Sequence, residues 1–162
     1  MIGCSFNGTF TSSVVYNGPI AGSNFSYMIG CYSSGCLIGT GEDAGINGIA
    51  NEVYNQSIFI GCYTTAEFTA TRKYIYPIAS DSDCKNFKAN YHKATITNDK
   101  SFSDDGSIKI DGTTVTWASA VDAMNTAISD ALKDLGCGNF KYVENTDDAT
   151  KEAWPYVLKE IK

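Results

Sequence analysis

Ile2-Gly3-Cys4, Ile29-Gly30-Cys31-Tyr32 and Ile60-Gly61-Cys62-Tyr63 are three copies of one phrase, spaced 27 and 31 residues apart. A second phrase keeps step with it. Pro19-Ile20-Ala21-Gly22 recurs as Gly48-Ile49-Ala50-Asn51 and as Pro77-Ile78-Ala79-Ser80, at 29-residue intervals. Two unrelated marks in the same order at nearly the same period define an internal repeat, and a repeat constrains the fold more than any local signal does.

Strand geometry gives the repeat a first physical form. Alternate side chains of an extended segment share a face, which places Ile and Cys of each Ile-Gly-Cys on one side and Gly on the other. Ile20, Ile49 and Ile78 then point inward from a second strand. Turn formers lie between the marks, at Asn7-Gly8, Asn17-Gly18, Gly39-Thr40-Gly41 and Asn47-Gly48, where the backbone can take positive φ. Short β segments, such corners and a period near 29 residues predict a mainly β fold: a short parallel β-solenoid over residues 1–97. The third copy decays into Arg72, Lys73 and Tyr76, and terminal repeats are commonly atypical, so residues 60–97 read as a last, degenerate rung. Helical repeats need long charged segments of 3.6 period. A leucine-rich repeat is excluded because Leu37 is the only leucine before Leu132.

Composition changes along the chain in the same sense. Residues 1–71 hold four acids and no Lys or Arg, whereas the remainder holds 14 acids and all 12 basic residues. Eleven of the 15 glycines fall at or before Gly61. A net charge of −6 argues against nucleic acid, whose phosphates call for clustered Lys and Arg. No apolar run reaches the roughly 20 residues that cross a bilayer, and no signal peptide is visible. Met1 abuts a repeat mark, which implies a piece of a longer protein.

Residues 98–162 read as a C-terminal α+β cap. Ser107-Ile108-Lys109-Ile110, Asp111-Gly112 and Thr113-Thr114-Val115-Thr116-Trp117 have the pattern of a two-residue β-hairpin. Val121, Met124, Ile128, Ala131, Leu132 and Leu135 mark one face of a helix, with Thr116 or Ser119 at its start and Gly136 at its end. Asp122, Asn125, Ser129, Asp130 and Lys133 face outward. A short helix is expected to start at Asp147-Asp148, and Trp154, Val157, Leu158 and Ile161 to anchor the end. A stack of rungs needs its last apolar layer covered, so this region is expected to close the C-terminal end.

The phrases Ile-Gly-Cys-Tyr-Ser-Ser-Gly and Asn-Gly-Ile-Ala resemble the GLUG-type repeats of large bacterial surface and secreted proteins, and residues 115–125 resemble a segment that follows such repeats. Gly18-Pro19 and Asn47-Gly48 depart from the family's Gly-Gly, and Gly replaces its Asn before Cys. The resemblance implies an extracellular or cell-surface location, with adhesion, ligand binding or scaffolding as the work and glycans or host and bacterial surface proteins as partners. It carries no catalytic residues.

The residues themselves assign no catalytic, cofactor or metal site. Cys4, Cys31 and Cys62 share one repeat position, which Cys84 continues. Equivalent Cβ vectors on in-register strands point the same way, which favours buried free thiols over a ladder of disulfides, although stacked strands lie within the reach of such a bridge. No Cys-x-x-Cys is present and His92 is the only histidine, so structural zinc is not expected. Asp81-Ser82-Asp83 and Asp104-Asp105-Gly106 match no EF-hand loop and read as turn formers. His92 reads as a solvated surface residue. The tyrosines, Tyr32 and Tyr63 among them, read as a stacked column on the repeat wall. The competing function is an accessory fragment of a carbohydrate-active enzyme. Its chemistry needs paired carboxylates at a groove, for which Glu52 and Glu67 are the only candidates well inside the repeats.

Overall fold

A computed structural model describes residues 1–13, 17–24, 26–40, 45–52, 57–70, 74–80, 87–97 and 100–161. Its described residues form sixteen strands and one helix, a mainly β fold. The strands of the repeats are β1 (Ser5–Ser12), β2 (Ala21–Asn24), β3 (Tyr27–Ile29), β4 (Tyr32–Gly39), β5 (Ile46–Asn47), β6 (Ala50–Glu52), β7 (Ile58–Ile60), β8 (Tyr63–Thr64), β9 (Glu67–Ala70) and β10 (Ile75–Tyr76). β11 (Phe87–Lys88), β12 (Tyr91–His92), β13 (Thr95–Ile96) and β14 (Ile108–Lys109) follow, then α1 (Trp117–Asp134), β15 (Phe140–Glu144) and β16 (Tyr156–Glu160).

All pairings from β1 to β14 are parallel, and the strands from β1 to β13 lie on counterparts one repeat away, whereas β14 pairs with β12 across only 17 residues. Successive partners are 27 (Ser5 to Tyr32), 31 (Tyr32 to Tyr63) and 28 (Tyr63 to Tyr91) residues apart. The repeat phrases are therefore the columns of parallel ladders. One sheet has the order β13-β9-β4-β8-β12-β14 with β1 also on β4; β3, β7 and β11 form a second, and β2-β6 and β5-β10 are two-stranded. Two apolar clusters lie inside the stack. Met28, Cys31, Ile49, Phe59, Cys62 and Ile78 form one, and Leu37, Ile46, Phe68 and Ile75 belong to the other. Ile49 and Ile78 are fully buried, with Ile20 packed beside them, as their column requires.

Ile and Cys of the repeat phrase do not share a face. Ile29 and Ile60 belong to an outer cluster beneath the helix, while Cys31 and Cys62 point into the stack. The intervening glycines cause the switch: Gly3, Gly30 and Gly61 have φ of +64°, +61° and +62°, so each phrase is a left-handed corner in which strand alternation does not apply. The fourth corner is Lys88-Ala89-Asn90, where Ala89 takes φ +52° without being glycine. Asn90 replaces the column cysteine; its amide donates to the Phe59 carbonyl and accepts from the Cys62 N–H, both at 2.8 Å. Cys84 lies outside the described residues.

Three other sequence expectations are corrected in the stack. Asn7-Gly8 is no corner but the middle of β1, paired with Ser34-Gly35. Residues 60–97 hold more than one rung, because β11, β12 and β13 already stack on β7, β8 and β9. The Asp111-Gly112 hairpin does not form. Ile108-Lys109 instead pairs in parallel with Tyr91-His92, and the Asp111 carboxylate accepts the N–H of Thr113 at 2.7 Å and of Val115 at 3.0 Å. Those bonds fold the chain into a turn that leads directly to the helix.

The helix starts as its sequence demands. Thr116 is the N-cap, its hydroxyl accepting from Ser119 N–H at 3.3 Å while Ser119 accepts from Thr116 N–H at 3.1 Å, a reciprocal capping arrangement. Gly136, at φ +65°, follows the C-cap Leu135. Val121, Met124, Ile128 and Leu132 are buried, but Leu135 is 41% exposed. Asn125 is not an outward residue: its side chain accepts from Tyr142 N–H at 2.6 Å and donates to Tyr142 C=O at 3.1 Å. Residues 148–153 form turns rather than a second helix, and β15 and β16 pair antiparallel.

Helix and antiparallel pair lie along the flank of the stack, not over its end. Tyr32, Tyr63 and Tyr91 join Met124, Ile128 and Tyr142 in one cluster, against which Leu158 also packs. The Tyr63 hydroxyl donates to the Tyr156 carbonyl at 2.5 Å, and that of Thr65 to Ala153 at 2.6 Å. The reason is steric. The glycine corners leave a shallow column on this flank, and Leu158 fits over Gly3 and Gly30 while Ile128 fits over Gly61. The end is closed by other residues. Ser103 N–H donates to the Ile75 carbonyl at 2.8 Å, the Asp105 carboxylate accepts the Ile78 N–H at 2.7 Å, and Phe102 packs edge-on to Phe68 and His92.

Candidate functional site

The sheet β3-β7-β11 and the last turns of α1 enclose a cleft of about 380 Å³. Register sets its floor. Tyr27 pairs with Ile58, and Ile29, Ile60 and Lys88 form the next column. Met28 and Phe59, between these columns in sequence, point into the stack. Strand alternation thus leaves Tyr27, Ile58 and Ile60 facing the helix. Ala131, Asp134 and Leu135 form the opposite wall, and Phe87 and Lys88 complete the lining. Lys88 reaches Asp130 at 3.5 Å with both side chains mostly exposed, so the pair sits at the rim and contributes little to stability.

The cleft offers an aromatic and aliphatic floor with one ammonium and two carboxylates around it. Its size lies in the range of small-ligand sites. Asp134 and Lys88 line the cleft, while His92, whose Nδ1 has no hydrogen-bond partner, and Asp105 lie elsewhere. His92 is buried, not solvated, since it continues the Ser33-Thr64 column with Phe102 against its ring. Burial, with the Lys109 charge beside it, lowers its pKa to about 4. The Asp105 carboxylate is 3% exposed and accepts from the backbone of Ile78, Ala79 and Ser107. Burial raises its pKa despite those bonds, and its lone pairs are occupied. Asp104 accepts from Gly106 N–H at 2.9 Å, as a turn former does.

Glu67 is exposed on β9, at the register of Cys36 and Thr95. The Glu52 side chain, Arg72 and Asp81-Ser82-Asp83 lie outside the described residues. Among the described residues no three His, Cys, Asp or Glu side chains are grouped to hold a metal ion. No protein-family model, curated protein or solved structure matches the chain.

The column thiols form a chain of contacts. Cys31 hydrogen-bonds with Cys62 and Cys4, and those bonds hold its pKa below the ordinary thiol value against the effect of burial. Burial pushes the Cys62 thiol up; its Sγ donates to the Met28 carbonyl at 3.3 Å. Cys31 and Cys62 are fully buried and Cys4 is half-buried, so these thiols pack the interior. The tyrosine column is equally occupied: Tyr32 and Tyr63 stack at 5.2 Å with 6° between planes, under Trp117, Tyr142 and Trp154. Tyr27, with Phe87, brings an aromatic ring to the cleft, and sequence reasoning did not single it out. Its signal is its column, shared with Ile58, on the side of β3 opposite Met28.

Proposed function

We propose that residues 1–97 are a short parallel β-solenoid flanked by the α+β region 98–162, and that the protein is a non-enzymatic, surface-displayed or secreted repeat module that binds glycan in the cleft beside Tyr27. The cleft carries the reading. A half-buried tyrosine ring beside aliphatic side chains suits the apolar face of a sugar, and Lys88, Asp130 and Asp134 at the rim suit its hydroxyls. The GLUG-type phrasing of the repeats supports an extracellular location and adhesive work, and the parallel registers support the solenoid. The engagement of His92 and Asp105 in packing and backbone bonds supports a role without catalysis.

The test is a titration of the protein with a panel of neutral oligosaccharides, followed by NMR shifts of the Tyr27 and Ala131 amides. Binding should appear for at least one sugar and be lost in Tyr27→Ala and Leu135→Ala, both partly exposed positions where folding persists. Absence of binding across the panel would overturn the glycan reading. Appearance of shortened sugars would overturn the non-enzymatic one.

A further inference from the structure

Three Asn-Gly pairs stand in the repeats, at Asn7-Gly8, Asn17-Gly18 and Asn47-Gly48, and the fold holds each differently. The chemistry latent in such a pair is closure of a five-membered imide, in which the glycine backbone nitrogen attacks the asparagine Cγ. Whether it occurs depends on where that nitrogen is held. Two of the pairs are held away from it. Gly8 lies within β1, whose ladder with β4 runs from the Cys4 carbonyl, accepting the Tyr32 N–H at 3.0 Å, to the Ser12 carbonyl, accepting the Thr40 N–H at 2.9 Å. Alternate residues of a strand bond to the same neighbour, so the Gly8 N–H belongs to that ladder. The Asn7 Oδ1 accepts from the Ser34 hydroxyl at 3.0 Å, which draws its side chain toward the next rung. The Gly48 N–H donates to the Tyr76 carbonyl at 3.0 Å. Asn47 is fully buried, so solvent is kept from its carboxamide.

Asn17-Gly18 differs. The Gly18 N–H donates at 3.0 Å to the Oδ1 of Asn17 itself, and to no other described residue. That contact sets the nitrogen beside Cγ, the atom to which Oδ1 is bonded. Gly22 leaves the room for it, since a Cβ there would come within 3.2 Å of the same Oδ1. Asn17 is half-buried, so its carboxamide stays within reach of solvent. Its backbone meanwhile is pinned: the Asn17 carbonyl accepts the Asn47 N–H at 2.9 Å, and Asn17 bridges to Ile46. Two reacting groups held in contact escape the entropic cost of finding each other.

We propose that Asn17 is a modification site, at which the folded chain deamidates itself. Solvent base removes the Gly18 amide proton, the nitrogen bonds to the Asn17 Cγ, and the Cγ–Nδ2 bond breaks to release ammonia. Water then opens the succinimide at either of its two carbonyls, leaving an aspartyl or an isoaspartyl residue at position 17. No electron is transferred, and the net change is one amide nitrogen exchanged for one water oxygen. Residues 1–41 hold no Asp, Glu, Lys or Arg, so the new carboxylate is the first side-chain charge of that stretch. The isoaspartyl form also lengthens the main chain by one carbon at the bridge between Asn17 and Ile46.

The test is incubation of the full chain in mildly alkaline buffer, with and without denaturant, and mass spectrometry of peptides from timed samples. In native buffer Asn17 should convert at least about tenfold faster than Asn7 or Asn47, at a rate that rises with pH. In denaturant, where glycine follows all three, the rates should converge. Asn17→Gln, whose longer side chain would have to close a six-membered ring, should keep its amide in a chain that folds normally by circular dichroism. Native conversion of Asn7 or Asn47 at the rate of Asn17 would overturn the proposal, as would an Asn17 that reacts more slowly in the folded chain than in the unfolded one.

Discussion

Gly61 lies directly beneath Ile128: a Cβ on the glycine would come within 2.6 Å of the isoleucine Cγ1. Its φ of +62° is itself unfavourable for any L side chain. Gly61→Ala should therefore destabilise by about 2–4 kcal/mol, the left-handed cost and the overpacking adding together. Gly112, at φ +80° with nothing near its Cβ position, isolates the first effect, and Gly112→Ala should cost about 1 kcal/mol. Chemical denaturation of both variants measures the difference. Equal losses would mean that Ile128 does not rest on Gly61.

Ala89 occupies the same corner one rung further on, without the glycine. Ala89→Gly should stabilise by about 1 kcal/mol, since the left-handed penalty exceeds the entropy that glycine returns to the unfolded chain. Thermal unfolding should shift upward by about 2–4 °C. A fall would show that Ala89 is held by packing worth more than its backbone strain.

The interior column is tested by Ile49, fully buried. Ile49→Ala should cost about 2–5 kcal/mol, while Thr40→Ala, at an exposed position, should stay within about 0.5 kcal/mol. Similar losses in denaturant would contradict the register of the stack.

Thiol accessibility should follow the columns. Cys36 and Cys137 are exposed and should react with a thiol reagent at once, Cys4 more slowly, and Cys31 and Cys62 only on unfolding. Mass spectrometry of peptides after timed labelling reads the order. Rapid labelling of Cys62 in native buffer is the result that would count against it.

His92 makes stability depend on acid. Its pKa in the folded chain is about 4 against an ordinary 6.5, so between these values the unfolded chain binds a proton that the folded chain refuses. Stability from this group is present above about pH 6.5 and is lost at about 1.4 kcal/mol per pH unit down to about pH 4. Asp105, whose folded pKa is raised, acts in the opposite sense: its contribution grows as pH falls through its folded value. His92→Thr, which extends the Thr64 column without a titrating group, should lose less on going from pH 7 to pH 4.5. Parallel melting curves for the two proteins across that interval would refute the assignment.

The columns of the stack were legible in the sequence because sterics write them there. A left-handed corner admits little but glycine, so Gly3, Gly30 and Gly61 recur in register, and Ile49 and Ile78 recur because the layer beneath has room for one shape. The faces were less legible. Ile-Gly-Cys has the alternation of a strand, and only the sign of φ at the glycine sends Ile29 outward and Cys31 inward. Asp111-Gly112 misled for a similar reason: the Asp111 carboxylate captures the N–H groups that a hairpin partner would use. β15 and β16 were missed because each run is short and ends in charge, and because Val157 between Tyr156 and Leu158 breaks the polar alternation that Phe140 and Tyr142 keep. The burial of His92 was beyond local reading, as it depends on Phe102, ten residues on, and the cleft depends on how α1 lies against Tyr27, a long-range packing outcome.

Leu158 rests on both Gly3 and Gly30, so segments far apart in the sequence lie against each other. During synthesis Gly3 and Gly30 emerge long before their cover exists. Until Leu158 has left the ribosome, the flank of Tyr32 and Tyr63 stays open to other nascent chains, a hazard that grows with the sequence separation of the contacts that close a fold. The same contact means that the layers at Gly3 and Gly30 cannot open one at a time, as independent repeats do. Loss of Leu158 should therefore loosen both corners.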